Sequence, residues 1–282
     1  VKSMTMLSIN TNVGALQAAQ SSYSVNKSME QSMDRLASGK RVNSASDDAA
    51  GLAIANRLNA EINGIHQAVR NASDAQGMLG VAEGALEQVH SLLLRMRELA
   101  VQSASETVTD ADRDMLQTEV AQLETEIQRV VDDTTWAGIT LLAGGFTTGA
   151  TFQIGPRETD TIQISISAIE PLSTVANGGL NLNSHVSTQA GAQGYIAAID
   201  NAISIISRDR GTYGAVMNRL DHAMANLQNV ATNLSVAKGR IEDADFAAES
   251  SNLARTQVLQ QASMAMLAQA NASKQNILSL FQ

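Results

Sequence analysis

Cysteine is absent from the chain, which excludes disulfides, thiolate catalysis and cysteine-ligated metals. Proline is nearly absent: Pro156 and Pro171 are the only two, and both lie mid-chain. A continuous helix tolerates proline least, so helices are expected on either side of this pair and a strand-like insert around it. Aromatic residues make up 3% of the chain, with Trp136 the only tryptophan. Core filling therefore falls to Leu, Ile, Val, Met and much Ala, which suits long, close helix seams better than a bulky globular core. Clustered Lys and Arg are missing and the net charge is -9, so a nucleic-acid partner is not expected. No stretch approaches the roughly 18 apolar residues of a membrane span, and the first twenty residues lack the apolar run of a secretory signal. His66, His90, His185 and His222 are scattered without the spacing of a metal-binding helix face. Asp47 and Asp48 are adjacent acids at a helix start, where they suit the helix dipole better than acid-base chemistry. No enzymatic activity, cofactor or metal is expected.

What is present is helical periodicity. Leu16 and Tyr23 stand a heptad apart, and Met29, Met33 and Leu36 follow at i, i+4, i+7, ending at Ser38-Gly39. After a polar connector with Ser44 and Ser46 as candidate caps, a helix from 47 to 104 would be roughly 85 Å long at 1.5 Å per residue. Its stripe runs Leu58, Ile62, Ile65, Val69, Ala72, Gln76, Leu79, then Ala82, Leu86, Val89, Leu93, Met96 and Ala100, with two successive steps of three at the join. Thr109 or Asp110 opens a third helix through Leu116, Val120, Leu123, Ile127 and Val130. Gly-rich sequence from Gly138 to Gly149 leads to alternating Phe152, Ile154, Ile162, Ile164 and Ile166 around the turn-like Gly155 to Asp160, which predicts a β-hairpin near 150–168. Residues 177 to 187 read as a loop.

The longest heptad stripe then runs from Ile199 through Ile203, Ile206, Tyr213, Met217, Leu220, Met224, Leu227, Ala231 and Leu234 to Ile241, with only Arg210 and Lys238 off-pattern. A last segment steps through Leu259, Ser263, Met266, Ala270, Ser273, Ile277 and Leu280. Its small residues offer little burial per helix, so alone it should be marginal and need neighbours. The expected fold is mainly α: a long coiled-coil helical hairpin rod with a small β-hairpin in the middle of the chain. Gly80 and Gly84 form a GxxxG spacing consistent with a close helix approach.

Five blocks resemble one family, bacterial flagellin. They are LSINTN at Leu7 to Asn12, RLASGKRVNSASDDAAGLAIANR at Arg35 to Arg57, RMRELAVQSA at Arg95 to Ala104, the stretch from Asn218 to Ala247, and the stretch from Gln257 to Phe281. The resemblance implies an inner terminal coiled coil of residues 1–45 with 243–282, and an outer helical bundle of 46–242 carrying the hairpin. It implies no further variable insert, since only 138–189 is free for one. Lys274, where many relatives have proline, and the Phe281-Gln282 ending depart from the family pattern.

For function, the resemblance implies a structural subunit that self-assembles into the extracellular flagellar filament, the propeller for swimming. Export through the flagellar type III apparatus, and an export chaperone, filament cap and junction proteins as partners, come with it. The alternative is the hook-filament junction protein, which shares a terminal coiled-coil plan. Filament-core packing is expected at Leu16, Tyr23, Met29, Met33, Leu36, Leu259, Met266, Ile277 and Leu280. An animal Toll-like receptor reads many flagellins, and the matching residues here are Arg95, Leu99 and Glu119, with Arg97 and Glu98 beside them and Leu94 where Gln is common. Contact between subunits is the plainer use of the same surface.

Overall fold

The computed structural model describes residues 11–169, 180, 182 and 185–279, the side chains of 274–279 excepted. Residues 7–10 of the first family block, Pro171, most of the expected loop at 177–187, the side chain of Ile277, and Leu280 lie outside this set. Among the described residues five helices carry the fold: α1 (Val13–Ser38), α2 (Ala49–Ser103), α3 (Asp110–Asp133), α4 (Gln189–Glu242) and α5 (Phe246–Ser279). Two hairpins interrupt them, β1 (Thr135–Trp136) with β2 (Ile139–Thr140) and β3 (Ala150–Gln153) with β4 (Thr161–Ile164). The chain divides into two compact units, one of residues 1–60 with 233–282 and one of 61–232.

Local chemistry explains the helix ends. Asn12 caps α1 by accepting the Ala15 amide at 3.0 Å, and Gly39 closes it at φ 71°, the left-handed conformation that glycine adopts freely. The cap of α2 is Asp48, whose Oδ1 accepts the Gly51 amide at 2.8 Å. The expected caps Ser44 and Ser46 instead bond to each other, 2.7 Å apart, because the connector turns before the helix begins. Thr109 opens α3 in a capping box with Asp112, each side chain accepting the other's backbone N–H.

The core of the 61–232 unit is formed by α2, α3 and α4 with the irregular segments around them. Buried positions on α2 run Ile62, Ile65, Ala68, Ala72, Ala75, Leu79, Ala82, Leu86, Val89, Leu93, Met96 and Ala100. From Leu79 onward this is the expected stripe. Before it, Ala68 and Ala75 take the interior places expected for Val69 and Gln76, which move the successive steps of three to Ile62, Ile65 and Ala68. Gln76 sits at the edge of the seam and donates to Asp221 of α4 at 2.9 Å. The off-pattern Arg210 of α4 has a similar reason: its guanidinium places two nitrogens on Glu83 Oε1, at 3.0 and 2.7 Å.

The β elements dock on α2 at places where side chains are missing or polar. Pro156, in the turn of the β3–β4 hairpin, lies 3.2 Å from where a Cβ on Gly64 would stand, and the Trp136 ring lies 3.2 Å from the corresponding point on Gly77. Between them Asn71 donates to the Gln153 carbonyl at 3.0 Å. Ile162, Ile164 and Ile166 point into the core and Phe152 and Ile154 are half-buried, the alternation expected of this hairpin. The glycine-rich stretch before it is not only a spacer: β1 and β2 close through Ala137 and Gly138 at φ 50° and 83°, the two positive values that a tight two-residue hairpin turn needs. Leu141 and Leu142, in the helical turn that follows, are fully buried.

Two polar devices close this unit. Arg113, buried on α3, donates to the carbonyls of Ser103 and Ser105 and to Asp110, each at 2.9 Å, and so satisfies the end of α2 and the turn after it. Tyr195 of α4, fully buried, donates to Glu124 of α3 at 2.6 Å. Burial raises the Glu124 carboxyl above its ordinary value of 4.5, against the opposing pull of the Tyr195 hydroxyl and His185.

Replacing Arg113 by Leu should cost about 1–3 kcal/mol of unfolding free energy, because the buried Ser103 carbonyl loses its donor and the Ser105 carbonyl loses a second bond; chemical denaturation with an unchanged midpoint would contradict the clasp. Gly80 and Gly84 face open space, so an Ala at either should raise stability by roughly 0.5–1 kcal/mol, whereas Gly77→Ala must displace Trp136 and gain less. Equal gains at Gly77 and Gly80 in thermal unfolding would place Trp136 elsewhere. Since folding raises the Glu124 pKa, the folded state holds that proton more tightly than the unfolded one. Its contribution is therefore complete below the unfolded value near 4.5 and is lost as pH rises through the raised folded value. Glu124→Gln should flatten stability against pH in that window, and an unchanged pH profile would remove Glu124 as its source.

Candidate assembly surface

In the unit made from the chain ends, α1 and α5 lie antiparallel. Asn12 Nδ2 reaches the Ala270 carbonyl at 3.3 Å, Gln260 donates to Asn26 at 2.8 Å, and Arg35 stands 3.7 Å from Glu249. The face of α1 turned inward carries Ala15, Ala18, Ser22, Val25, Met29, Ser32 and Leu36, buried or half-buried. Opposite it on α5 stand Glu249, Leu253, Thr256, Gln260, Ser263, Leu267 and Ala270. Both faces step by threes and fours, as a two-helix seam requires. Small and hydroxylic residues let the backbones approach but bury little apolar area.

The bulk lies on the outside. Tyr23 is 71% exposed, Leu16 63%, Val258 66% and Met266 65%, and Met33, Leu259, Met264 and Phe246 are exposed as well. Of the packing residues expected on α1, Met29 and Leu36 turn toward α5, while Leu16, Tyr23 and Met33 do not. The stripe Leu259, Ser263, Met266, Ala270 is split: Ser263 and Ala270 face α1, while Leu259 and Met266 do not. Apolar and polar residues are mixed around the circumference of α5, with no single apolar stripe to face one partner and no single polar face to turn to water. An open groove of about 570 Å³ runs along the pair between Gly14, Ala18, Ser21, Met266, Ala270 and Ser273.

A second arrangement in the same unit ties the two inter-helix connectors together. The amide of Arg41 donates to the Glu242 carbonyl at 2.6 Å, that of Ala244 to the Gly39 carbonyl at 3.0 Å, and the Arg41 guanidinium to the Ile241 carbonyl at 2.6 Å. The buried Glu242 carboxylate is paired with Lys40 and lies 3.7 Å from Lys238, which also donates to Asn59 at 2.9 Å. Lys238, off-pattern in the heptad, is thus a partner of this cluster. Asp47 fastens the first connector by accepting the amides of Ser44 and Asn43, at 3.0 and 3.2 Å, and the Ser44 hydroxyl. Those donors, the Ser44 amide first, hold its carboxyl below the usual range. Asp47 and Asp48 are accordingly a turn residue and a cap, with their oxygens engaged by backbone donors.

The expected receptor residues fall on the other unit. Arg95 bridges from Glu119, at 3.1 and 2.8 Å, to Glu98 at 3.0 Å, and the Glu119 hydrogen bonds keep its guanidinium more firmly protonated than usual. Arg97 pairs with Asp200 of α4 at 2.7 Å. Leu99 is 2% exposed: it lies three residues after Met96 on the inward stripe of α2, so it is a core side chain and not a surface one. The apolar part of this surface is instead Leu94 and Val101, which with Arg97 and Glu98 line a shallow depression of about 450 Å³. Sequence reasoning had no sign of Asp200 as a partner, since its link to Arg97 joins positions 103 apart. Among the described residues no group of three metal-ligating side chains comes together, and no described helix is long and apolar enough to cross a membrane.

Comparison with known proteins accords with this architecture. The family model of the bacterial flagellin N-terminal helical region matches residues 9–147, and that of the C-terminal helical region matches residues 196–281. A flagellin of Halalkalibacterium halodurans is 40% identical over 276 residues, 97% of this chain and 99% of the relative. A flagellin of Bacillus subtilis is 34% identical over 302 residues, again 97% of this chain and 99% of the relative. Among solved structures, a putative flagellar hook-associated protein from Vibrio parahaemolyticus superposes with a TM-score of 0.61 over 70% of this chain and 100% of its own, at 19% identity, a likeness of fold alone. With family matches at both ends and near end-to-end similarity to named relatives, the chain belongs to the bacterial flagellin family.

Proposed function

We propose that this flagellin polymerises through the outward faces of α1 and α5. Flagellins are structural proteins, the subunits of the extracellular flagellar filament that serves motility, and the chain takes that role with its relatives. The observation that carries the polymerisation surface is the placement of bulk: Leu16, Tyr23, Val258 and Met266 are exposed, while the intrachain seam mixes Val25, Met29, Leu36, Leu253 and Leu267 with Ser, Thr, Ala and Gln. A helix with apolar side chains scattered around it leaves some of them exposed against one partner, and among the described residues the helix packed on α5 within one chain is α1. Further copies of the same pair are the fitting cover.

On this reading the inner layer is 1–45 with 243–282, including Ile277 and Leu280, and the outer layer is 46–242. The weak terminal seam suits a chain threaded unfolded through the flagellar type III apparatus, because order arrives when the neighbours do. An export chaperone, a filament cap and junction proteins are the partners that such a route calls for. Recognition by an animal Toll-like receptor would use Arg95, Arg97, Glu98 and Glu119 with Leu94 and Val101, since Leu99 is interior.

Seeded polymerisation tests the proposal. Val258→Glu and Tyr23→Ser should each leave the far-ultraviolet spectrum of the monomer unchanged while raising the critical concentration roughly 10- to 100-fold, as loss of one well-buried large side chain implies. Normal filaments from both variants would place the assembly contacts elsewhere. Short rings in place of long filaments from the intact chain would point to the hook-filament junction role.

A further inference from the structure

The chain carries 11 methionines and no cysteine, so thioethers are its only sulfur. Their placement is uneven. Met78 and Met96 are enclosed in the core of the 61–232 unit, and Met29, Met217 and Met224 are partly covered. Met33 on α1 and Met264 and Met266 on α5 are 50%, 57% and 65% exposed, all on the terminal helices. Among the described residues Met115, on α3, is the remaining exposed one at 73%. Exposure controls oxidation of a thioether, because a peroxide must reach the sulfur.

We propose that Met33, Met264 and Met266 are oxidation sites that switch assembly competence: the unassembled chain is modified there by hydroperoxides, and the assembled chain is shielded. This rests on the polymerisation surface proposed above. In the reaction the sulfur lone pair attacks one oxygen of the peroxide, the O–O bond breaks as the S–O bond forms, and the other oxygen takes up the transferred oxygen's proton and leaves as water from hydrogen peroxide or as the alcohol from an organic hydroperoxide. The sulfur is oxidised by two electrons to the sulfoxide and the peroxide is reduced by two. The product is a polar, chiral group with a strong acceptor oxygen in place of an apolar, adaptable side chain. The intrachain seam does not contain these three residues, so the monomer fold survives the change. A face that must dock against apolar neighbours does not, because the new oxygen would be buried without a donor. With no thiol to oxidise, the chemistry stops at a product that sulfoxide reductases reverse.

The test exposes monomer and preformed filament to hydrogen peroxide, maps oxidation by peptide mass spectrometry, and assays seeded polymerisation. In the monomer, Met33, Met264, Met266 and Met115 should oxidise well before Met78 and Met96. In the filament the first three should slow toward the rate of the core pair. Oxidised monomer should show a critical concentration roughly 10- to 100-fold higher, restored by methionine sulfoxide reductase. The triple variant Met33→Leu, Met264→Leu, Met266→Leu should polymerise equally before and after peroxide, while Met115→Leu should remain sensitive. Normal assembly of chain oxidised at all three sites, equal reaction rates in monomer and filament, or protection by Met115→Leu would overturn the proposal. If the triple variant fails to assemble untreated, the reductase rescue of the native sequence decides instead, absence of rescue counting against it. Failure of the untreated native chain to polymerise, seen before oxidant is added, would fault the polymerisation surface itself.

Discussion

The seam between α1 and α5 limits everything the chain ends can do. Ser22, Ser32, Thr256 and Ser263 fill the places where a self-sufficient two-helix seam would carry Leu or Ile. Such side chains allow close approach, and the hydrogen bonds Asn12 to Ala270 and Gln260 to Asn26 set the register. They remove little apolar surface from water, which is the main driving force available to a helix pair. Much of the bulk, Leu16, Tyr23, Val258 and Met266 included, lies outside the seam, so stability of the pair depends on what surrounds it. Weakness within one chain and strength between chains are two results of one choice of residues.

The 61–232 unit follows the opposite plan. Its interior is filled by Leu, Ile, Val and Met from three helices, and its polar groups are engaged: Arg113 on the end of α2, Tyr195 on Glu124, Arg210 on Glu83. Asp209 is the exception, with Oδ1 on Arg208 and Oδ2 buried without a partner. Gly64 and Gly77 open room on α2 for Pro156 and Trp136, which lets a long helix accept irregular structure without a break. This unit has a core of its own, as a body that must hold its shape before and after assembly needs.

How far these features could be read in advance depended on their range. Local signals were legible: Gly39 at the end of α1, the Thr109 cap, the alternation of Ile162, Ile164 and Ile166, and the heptad from Ile199 onward all rest on spacing of a few residues. The inward stripe of α2 before Leu79 was not, because Ala68 and Val69 both satisfy a helical period and only the partner surface selects between them. Leu99 shares a motif with exposed Arg95 and Arg97, yet it stands three residues after buried Met96 and falls on the inward stripe with it. Gly77 looked no different from Gly80 and Gly84, since the Trp136 ring that distinguishes it comes from 59 residues away (136 minus 77). For the terminal helices the apolar residues were identifiable but their direction was not: Met29 and Met33 differ by one helical turn, and one meets α5 while the other meets solvent.

The central claim is that α5 owes its order to neighbouring copies. Amide hydrogen exchange of the full chain, resolved along residues 246–273 in monomer and in filament, tests it most directly. Exchange in α5 of the monomer should be close to that of an unstructured chain while α2 between 79 and 100 stays protected, and polymerisation should bring α5 to the level of α2. Strong protection of α5 in the isolated monomer, unchanged on assembly, would show that the single-chain seam suffices and would contradict the account.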